Sequence, residues 1–285
     1  MPITSYRHDG LTFDVVDSGP VDGEVIVLLH GFPQRPSSWE KVTPLLNAQG
    51  YRTLVPEQRG YSPGARPRGR ASYRGTLLVD DVAALIAEVD TPVHLVGHDW
   101  GAAVAWMLAA TRPELVRSLV AVSVAHPAAF QRSMFSSDQW RRSWYMAFFQ
   151  LPLLPERLAA SRTLADRFLG PAGMDAEMIE RFHREFPTAE SLSGPIGWYR
   201  GLPLTRGHGL GAKVTVPTTM VWSDHDVALG RAAIDLTERY VRAPYQLEVL
   251  EGVSHWIPDE APEELAGFIL ERVRGAGSEE DVAGP

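Results

Sequence analysis

The chain contains no cysteine, which excludes disulfide bonds and thiolate metal sites. It also has no excess of positive charge, because 27 Lys and Arg face 35 Asp and Glu, giving a formal net charge of -8. Such a balance disfavours contact with a nucleic-acid backbone. The histidines offer no pair at helical spacing with a carboxylate partner, so we predict no metal site and no cofactor. We expect a cytoplasmic protein with no nucleic-acid partner.

Long apolar segments are absent as well. The most apolar stretch, 93–110, is interrupted by His98 and Asp99 and is too short to span a bilayer. The first residues lack the apolar core of a signal peptide. We therefore expect no transmembrane segment, no secretion signal and no membrane partner.

Apolar runs that alternate with helical patterns indicate the fold class. Two early strands are predicted at 3–7 and 11–17, and the later strands are predicted at 25–29, 52–55, 93–96, 119–124, 218–222 and 246–250. Strands that alternate with helices in this way are typical of an α/β fold with a mostly parallel sheet flanked by helices.

The middle of the chain lacks strand-like runs. Four helices are predicted there instead, at 138–151, 155–169, 175–186 and 190–200. We interpret 126–213 as an inserted helical cap and 1–125 with 214–274 as the core. The small, acidic residues 275–285 are predicted to form a disordered tail.

A Gly-X-Asp-X-Gly sequence lies between the strand at 93–96 and an Ala-rich helix. Glycine at 97 and 101 suits a sharp turn in which the chain approaches itself around a strained central residue. That residue, Asp99, is a candidate nucleophile that would form an ester with an alkyl carbon. The alternative is that Asp99 only caps the following helix.

A nucleophilic carboxylate needs a base for the second half of the reaction and an acid that orients the base. His255 follows the predicted strand at 246–250, and Asp226 follows the strand at 218–222. Ligands bind outside the carboxyl ends of such strands, so these side chains are the expected base and acid. Asp224 is a rival for the acid, since it is nearer the strand end and could instead shape the turn.

With these residues in place, the chain resembles the α/β-hydrolase superfamily. Within it, the chain is similar to the branch of epoxide hydrolases and haloalkane dehalogenases that uses an aspartate nucleophile. The resemblance covers 3–274 and depends on the motifs His30-Gly31-Phe32-Pro33, Arg59-Gly60-Tyr61, Gly97-His98-Asp99-Trp100-Gly101 and Gly252-Val253-Ser254-His255-Trp256. It implies an oxyanion hole made by the backbone N–H groups of Phe32 and Trp100.

The resemblance also implies that two cap tyrosines hold the oxygen of an epoxide. Tyr145 and Tyr199 match the cap segments that supply these hydroxyls, and Trp144, Phe148 and Trp198 beside them are predicted to bind substrate. The expected partners are a small apolar epoxide and water, and the expected product is a vicinal diol. All of these aromatic side chains could instead simply pack the cap.

Two other functions stay open at this point. Haloalkane and haloacetate dehalogenases use the same Asp-His-Asp triad; fluoroacetate dehalogenases share His-Gly-Phe-Pro-Gln but carry Arg where this chain has Trp100. A non-catalytic binding protein on this fold is the second alternative. The sequence 60–64 also matches Gly-X-Ser-X-Gly, but no apolar helix follows it, so a serine esterase is not expected. The oligomeric state, monomer or homodimer, is left open.

Overall fold

A single eight-stranded sheet forms the centre of the computed structural model, which describes residues 1–205 and 210–282. The strand order is β1-β2-β4-β3-β5-β6-β7-β8. The strands are β1 Ser5–His8, β2 Leu11–Ser18, β3 Val25–Leu29, β4 Arg52–Pro56, β5 Val93–His98, β6 Val116–Val122, β7 Thr218–Ser223 and β8 Tyr245–Leu250. Only β1 and β2 are antiparallel to their neighbours. The predicted mostly parallel sheet is therefore confirmed.

Both faces of the sheet are buried, because its central strands carry apolar side chains on both sides. In β3 every residue is buried, and the side chains alternate between two cores: Val27 and Leu29 join one cluster, whereas Ile26 and Leu28 join the other. This alternation follows from the period of two in a β-strand. Fully burying one such side chain stabilises the fold by about 1.5–3 kcal/mol.

Helices cover both faces of the sheet and also make up much of the segment between β6 and β7. They are α1 Thr43–Asn47, α2 Gly75–Ala87, α3 Trp100–Thr111, α4 Pro127–Ser136, α5 Gln139–Arg142, α6 Trp144–Phe148, α7 Leu154–Ala159, α8 Arg162–Leu169, α9 Ala176–Glu185, α10 Ala189–Gly201, α11 Arg231–Thr237, α12 Ile257–Glu260 and α13 Pro262–Val282. Short 3₁₀ helices lie at Pro36–Trp39, Pro63–Ala65, Arg70–Tyr73, Pro113–Leu115, Leu202–Leu204 and Glu238–Tyr240.

The regular elements described between β6 and β7 are helices, apart from an isolated bridge at Val214, but they are more divided than predicted. The helix predicted at 138–151 is two short helices, α5 and α6, separated at Ser143. The helix predicted at 155–169 is likewise divided between α7 and α8. Helix α4 was not predicted, because its Ser, Gln and Arg residues hide the apolar periodicity.

The last helix, α13, extends to Val282 and so enters the segment 275–285 that was predicted as a disordered tail. Residues 283–285 lie outside the described residues, and disorder there stays a prediction. Within the described part of the chain, no helix is both long and apolar enough to cross a membrane.

Candidate active site

Asp99 lies in a strained turn at the end of β5, with φ 51° and ψ -121°. Glycine is required on both sides of it. A Cβ at Gly97 would lie 2.5 Å from the carbonyl carbon of Gly101, and a Cβ at Gly101 would lie 2.6 Å from that of Leu29. The Asp99 side chain makes no capping hydrogen bond to α3, so the helix-cap alternative does not explain its position. The turn instead presents the carboxylate to the loop after β3 and to His255.

Both carboxylate oxygens of Asp99 have a partner. Oδ1 accepts a hydrogen bond of 2.8 Å from the Phe32 N–H, and Oδ2 lies 3.4 Å from Nε2 of His255. Burial raises the pKa of Asp99, but the hydrogen bond and the charge of His255 outweigh it and hold this pKa below its usual value. The buried carboxylate is therefore ionised at neutral pH.

The second predicted oxyanion donor behaves differently. Among the described residues, the Trp100 N–H makes no hydrogen bond to the Asp99 carboxylate, although Trp100 follows it directly in the chain. Trp100 is the first residue of α3, where backbone N–H groups lack a partner within the helix. Its contribution to an oxyanion hole stays a prediction.

Of the two candidates for the orienting acid, Asp226 is the one that contacts His255. Its Oδ2 lies 2.6 Å from Nδ1 of the ring, and its Oδ1 accepts hydrogen bonds from the N–H groups of Ala228 and Leu229 at 2.7 and 2.8 Å. These two donors fix the orientation of the carboxylate. Asp224, the rival acid, instead accepts a hydrogen bond of 2.7 Å from the Gly252 N–H at an exposed turn.

The His255 ring lies between two carboxylates. Burial alone lowers its pKa, but the charges and hydrogen bonds of Asp226 and Asp99 outweigh that and raise the pKa of His255 to about 10. The ring is therefore protonated while Asp99 is ionised. If Asp99 becomes neutral, its negative charge no longer raises the pKa of His255. The ring then gives up its proton more easily.

Two buried polar groups that the sequence analysis did not single out hold the backbone of His255. The ring Nε2 of His98 and the Oγ of Ser123 both lie 2.9 Å from the His255 carbonyl oxygen. Burial and the neighbouring charge of His255 lower the pKa of His98 to about 4, so its neutral ring donates through Nε2. No spacing in the sequence signals this contact, since the two histidines are 157 residues apart.

A cavity of about 430 Å³ lies between the sheet edge and helices α5 to α10. Asp99 and His255 border it together with Tyr145 and Tyr199. Most of its remaining lining is apolar and includes Phe32, Trp144, Phe148, Phe149, Leu158, Phe168, Leu169, Phe182 and Trp256. Within the described side chains, no group of three or more His, Asp and Glu residues is arranged to hold a metal ion.

The two tyrosines lie side by side in this cavity, with ring centroids 6.0 Å apart. The ring of Tyr199 also packs edge-on against Phe32 and Trp100, at 5.5 and 5.0 Å. Burial raises the pKa of both phenols above the usual value, and the Asp99 carboxylate adds to that effect. Both hydroxyls are therefore protonated and able to donate.

Of the three aromatic residues predicted to bind substrate, Trp144 and Phe148 line the cavity and Trp198 does not. The Trp198 indole is buried behind the site and donates a hydrogen bond of 2.7 Å to the Arg59 carbonyl oxygen. Consecutive residues of an α-helix differ in direction by about 100°. Because Tyr199 faces the cavity, its neighbour Trp198 faces the core, and the geometry does not support a binding role for it.

Ser62, the serine of the Gly-X-Ser-X-Gly match at 60–64, has a structural role. Ser62 Oγ is buried and donates a hydrogen bond of 2.8 Å to Asp14 Oδ2. Gly60 adopts φ 91°, and a Cβ there would lie 2.7 Å from the carbonyl carbon of Gly194 in α10. This segment therefore packs against the helical segment, and its serine has no histidine partner among the described residues.

Comparison with known proteins identifies the family. A profile of the alpha/beta hydrolase family matches residues 26–268. The chain belongs to the alpha/beta hydrolase family. The resemblance noted in the sequence is thus confirmed.

Similar proteins include a bacterial AB hydrolase superfamily protein and several proteins named epoxide hydrolase. The AB hydrolase superfamily protein YfhM of Bacillus subtilis is 37% identical over 281 residues, which cover 93% of this chain and 96% of that protein. Epoxide hydrolase 3 of Xenopus tropicalis is 31% identical over 92% of this chain and 75% of its own length. Among solved structures, epoxide hydrolase VrEH1 from Vigna radiata has a TM-score of 0.79 at 28% identity, covering 96% of this chain and 97% of that one.

Proposed function

We propose that this protein is an epoxide hydrolase that converts an apolar epoxide and water into a vicinal diol. The observation that carries the proposal is the cavity in which Asp99 and His255 face Tyr145 and Tyr199. A carboxylate can attack an epoxide carbon, and two protonated phenols can stabilise the oxygen that leaves it. The named relatives support the same reaction class.

In the first step, Oδ2 of Asp99 attacks a ring carbon of the epoxide. A C–O bond to Asp99 forms, the ring C–O bond breaks, and the alkoxide takes a proton from Tyr145 or Tyr199. The Phe32 N–H holds Oδ1, which becomes the carbonyl oxygen of the ester. The phenolate is neutralised by the proton of His255, whose pKa falls once Asp99 has lost its charge.

In the second step, neutral His255 removes a proton from water, and the hydroxide attacks the carbonyl carbon of the Asp99 ester. Oδ1 carries the negative charge, stabilised by the N–H of Phe32 and, as proposed from the family motif, of Trp100. The ester C–O bond then breaks, and the departing diol oxygen takes the proton of the hydroxyl group that attacked, so the diol leaves neutral. Asp99 returns to the carboxylate and His255 to the protonated ring, which Asp226 keeps oriented.

The helical segment 126–213 takes the role of the cap in this proposal, because it supplies both tyrosines and most of the apolar lining. Residues 1–125 and 214–274 form the core that supplies the triad. A cavity with a mainly apolar lining and a few convergent polar groups suits an apolar substrate.

The test is a single turnover by a His255→Gln variant, followed by mass spectrometry of the Asp99 peptide. This variant removes the base for the second step, so an epoxide should leave a stable adduct whose mass is that of the whole epoxide. Wild-type enzyme in excess over epoxide and in ¹⁸O-labelled water should place the label on Asp99 and not on the first diol. Release of halide from a haloalkane, with no epoxide adduct, would indicate a dehalogenase. No adduct with either class would indicate a binding protein.

A further inference from the structure

The exposed side chains of helices α4 to α8 combine aromatic and cationic groups. Every exposed Phe and Trp in the described part of the chain lies here: Phe135 is 90% exposed, Trp140 60%, Trp144 55% and Phe168 57%. Leu151, Leu153 and Leu154 are exposed in the same segment. Exposed apolar groups that cluster in one region of a folded protein indicate an interaction site.

The same helices are basic, although the whole chain is acidic. Residues 127–169 contain six arginines and three acids, against a net charge of -8 for the chain. Each of the three acids, Asp138, Glu156 and Asp166, already contacts a cationic or histidine side chain. Four exposed arginines have no carboxylate partner among the described residues: Arg132, Arg141, Arg157 and Arg167. We call these four arginines and the seven exposed apolar residues the arginine–aromatic surface.

The cavity opens on this surface. Arg141, Trp144 and Phe168 are exposed to solvent and at the same time line the cavity that contains Asp99. The rings of Trp144 and Phe168 lie 6.4 Å apart and belong to different helices. A molecule that binds over these three side chains therefore lies directly beside the cavity.

We propose that the arginine–aromatic surface binds an anionic phospholipid bilayer, so that an apolar substrate passes from the lipid into the cavity. Trp side chains favour the boundary between hydrocarbon and headgroups, and arginines beside them attract anionic headgroups. Surface binding needs no spanning helix, so it is compatible with the lack of one in the described chain. It departs from our expectation of no membrane partner, which considered only spanning segments.

A second copy of this chain fits the surface less well. In a two-fold symmetric dimer the same patch meets itself, which would bring four unpaired arginines against four others. Like charges opposed in this way disfavour association. Anionic headgroups instead supply the partners that these arginines lack.

The experiment measures sedimentation of the protein with vesicles of phosphatidylcholine alone and of equal parts phosphatidylcholine and phosphatidylglycerol. The test variant is Trp140→Ser with Arg167→Gln, since neither residue lines the cavity. The control is Val16→Ser with Arg239→Gln, an exposed apolar residue and an exposed arginine that both lie outside helices α4 to α8. Thermal unfolding and hydrolysis of a dissolved epoxide check that each variant is folded and active.

We expect binding to the anionic vesicles only, weakened by high salt. In the test variant, the Arg167→Gln change should weaken the affinity for anionic vesicles about fivefold, and the Trp140→Ser change should weaken it several-fold further. The control should bind these vesicles like the unchanged protein. Equal binding of all three proteins, or no binding to anionic vesicles, would overturn the proposal. So would dimerisation that the test variant abolishes. The delivery of substrate rests on the proposed function, but vesicle binding does not, so failure of either is seen separately.

Discussion

Replacing Gly31 by alanine would place a methyl group against the candidate nucleophile. A Cβ at Gly31 would lie 2.8 Å from Cγ of Asp99 and closer still to its Cβ and Oδ1. Carbon atoms in contact normally lie about 3.5–4.0 Å apart, so the carboxylate or the loop has to move by roughly 1 Å. The hydrogen bond of 2.8 Å from the Phe32 N–H to Oδ1 would be lost or misaligned with it.

A displacement of this size has a large effect on the rate. Misplacing reacting groups by about 1 Å costs on the order of 10²-fold, and this cost applies to the attack of Asp99 on the epoxide. Losing one oxyanion donor costs about 10²- to 10³-fold, and this second cost applies to the later hydrolysis of the ester. We therefore expect Gly31→Ala to slow formation of the Asp99 ester by about 10²-fold or more. The assay is rapid-quench single turnover with enzyme in excess over epoxide, in which the adduct on the Asp99 peptide is counted against time.

Gly267→Ala is the matched control. Gly267 lies in α13, and a Cβ there would have no neighbour within 4 Å. Alanine should stabilise that helix by about 0.5–1 kcal/mol and leave the ester-forming rate unchanged. If Gly31→Ala folds and forms the ester within about threefold of the normal rate, the close packing of Gly31 against Asp99 does not control that rate, and the prediction is wrong.

Two further predictions concern the groups around the nucleophile. Tyr145→Phe and Tyr199→Phe should each slow ester formation by about 10- to 100-fold, with the double variant slower still, because one phenol can partly replace the other; equal rates in all variants would rule out proton donation by the tyrosines. The raised pKa of His255, about 10 against about 6.5 when unfolded, stabilises the folded state fully below pH 6.5, and this contribution is lost as the pH rises towards 10. Urea unfolding across this range should therefore show a fall in stability that His255→Gln reduces; an unchanged pH profile in that variant would contradict the assignment.

Much of the candidate site could be predicted from the sequence alone, because short sequence patterns mark its residues. The turn at Asp99 shows as two glycines around the aspartate, and the need for Gly97 is local, because a Cβ there would meet Gly101. The need for Gly101 depends on the fold, because a Cβ there would meet Leu29. The apolar runs fixed the strands, since strands buried on both faces tolerate few polar residues. Asp226 and His255 follow two adjacent parallel strands, β7 and β8, and parallel strands bring their carboxyl ends to one edge.

The remaining features of the site and the fold depend on contacts between residues that are far apart in the chain. Whether Asp224 or Asp226 meets His255 depends on how one turn rotates its two carboxylates, and Trp198 faces away because it pairs with Arg59, 139 residues away. The breaks between the short helices of the segment between β6 and β7 depend on packing that the apolar periodicity does not reveal. The arginine–aromatic surface also became visible only in three dimensions, because a sequence gives the same letters to a buried tryptophan and to an exposed one.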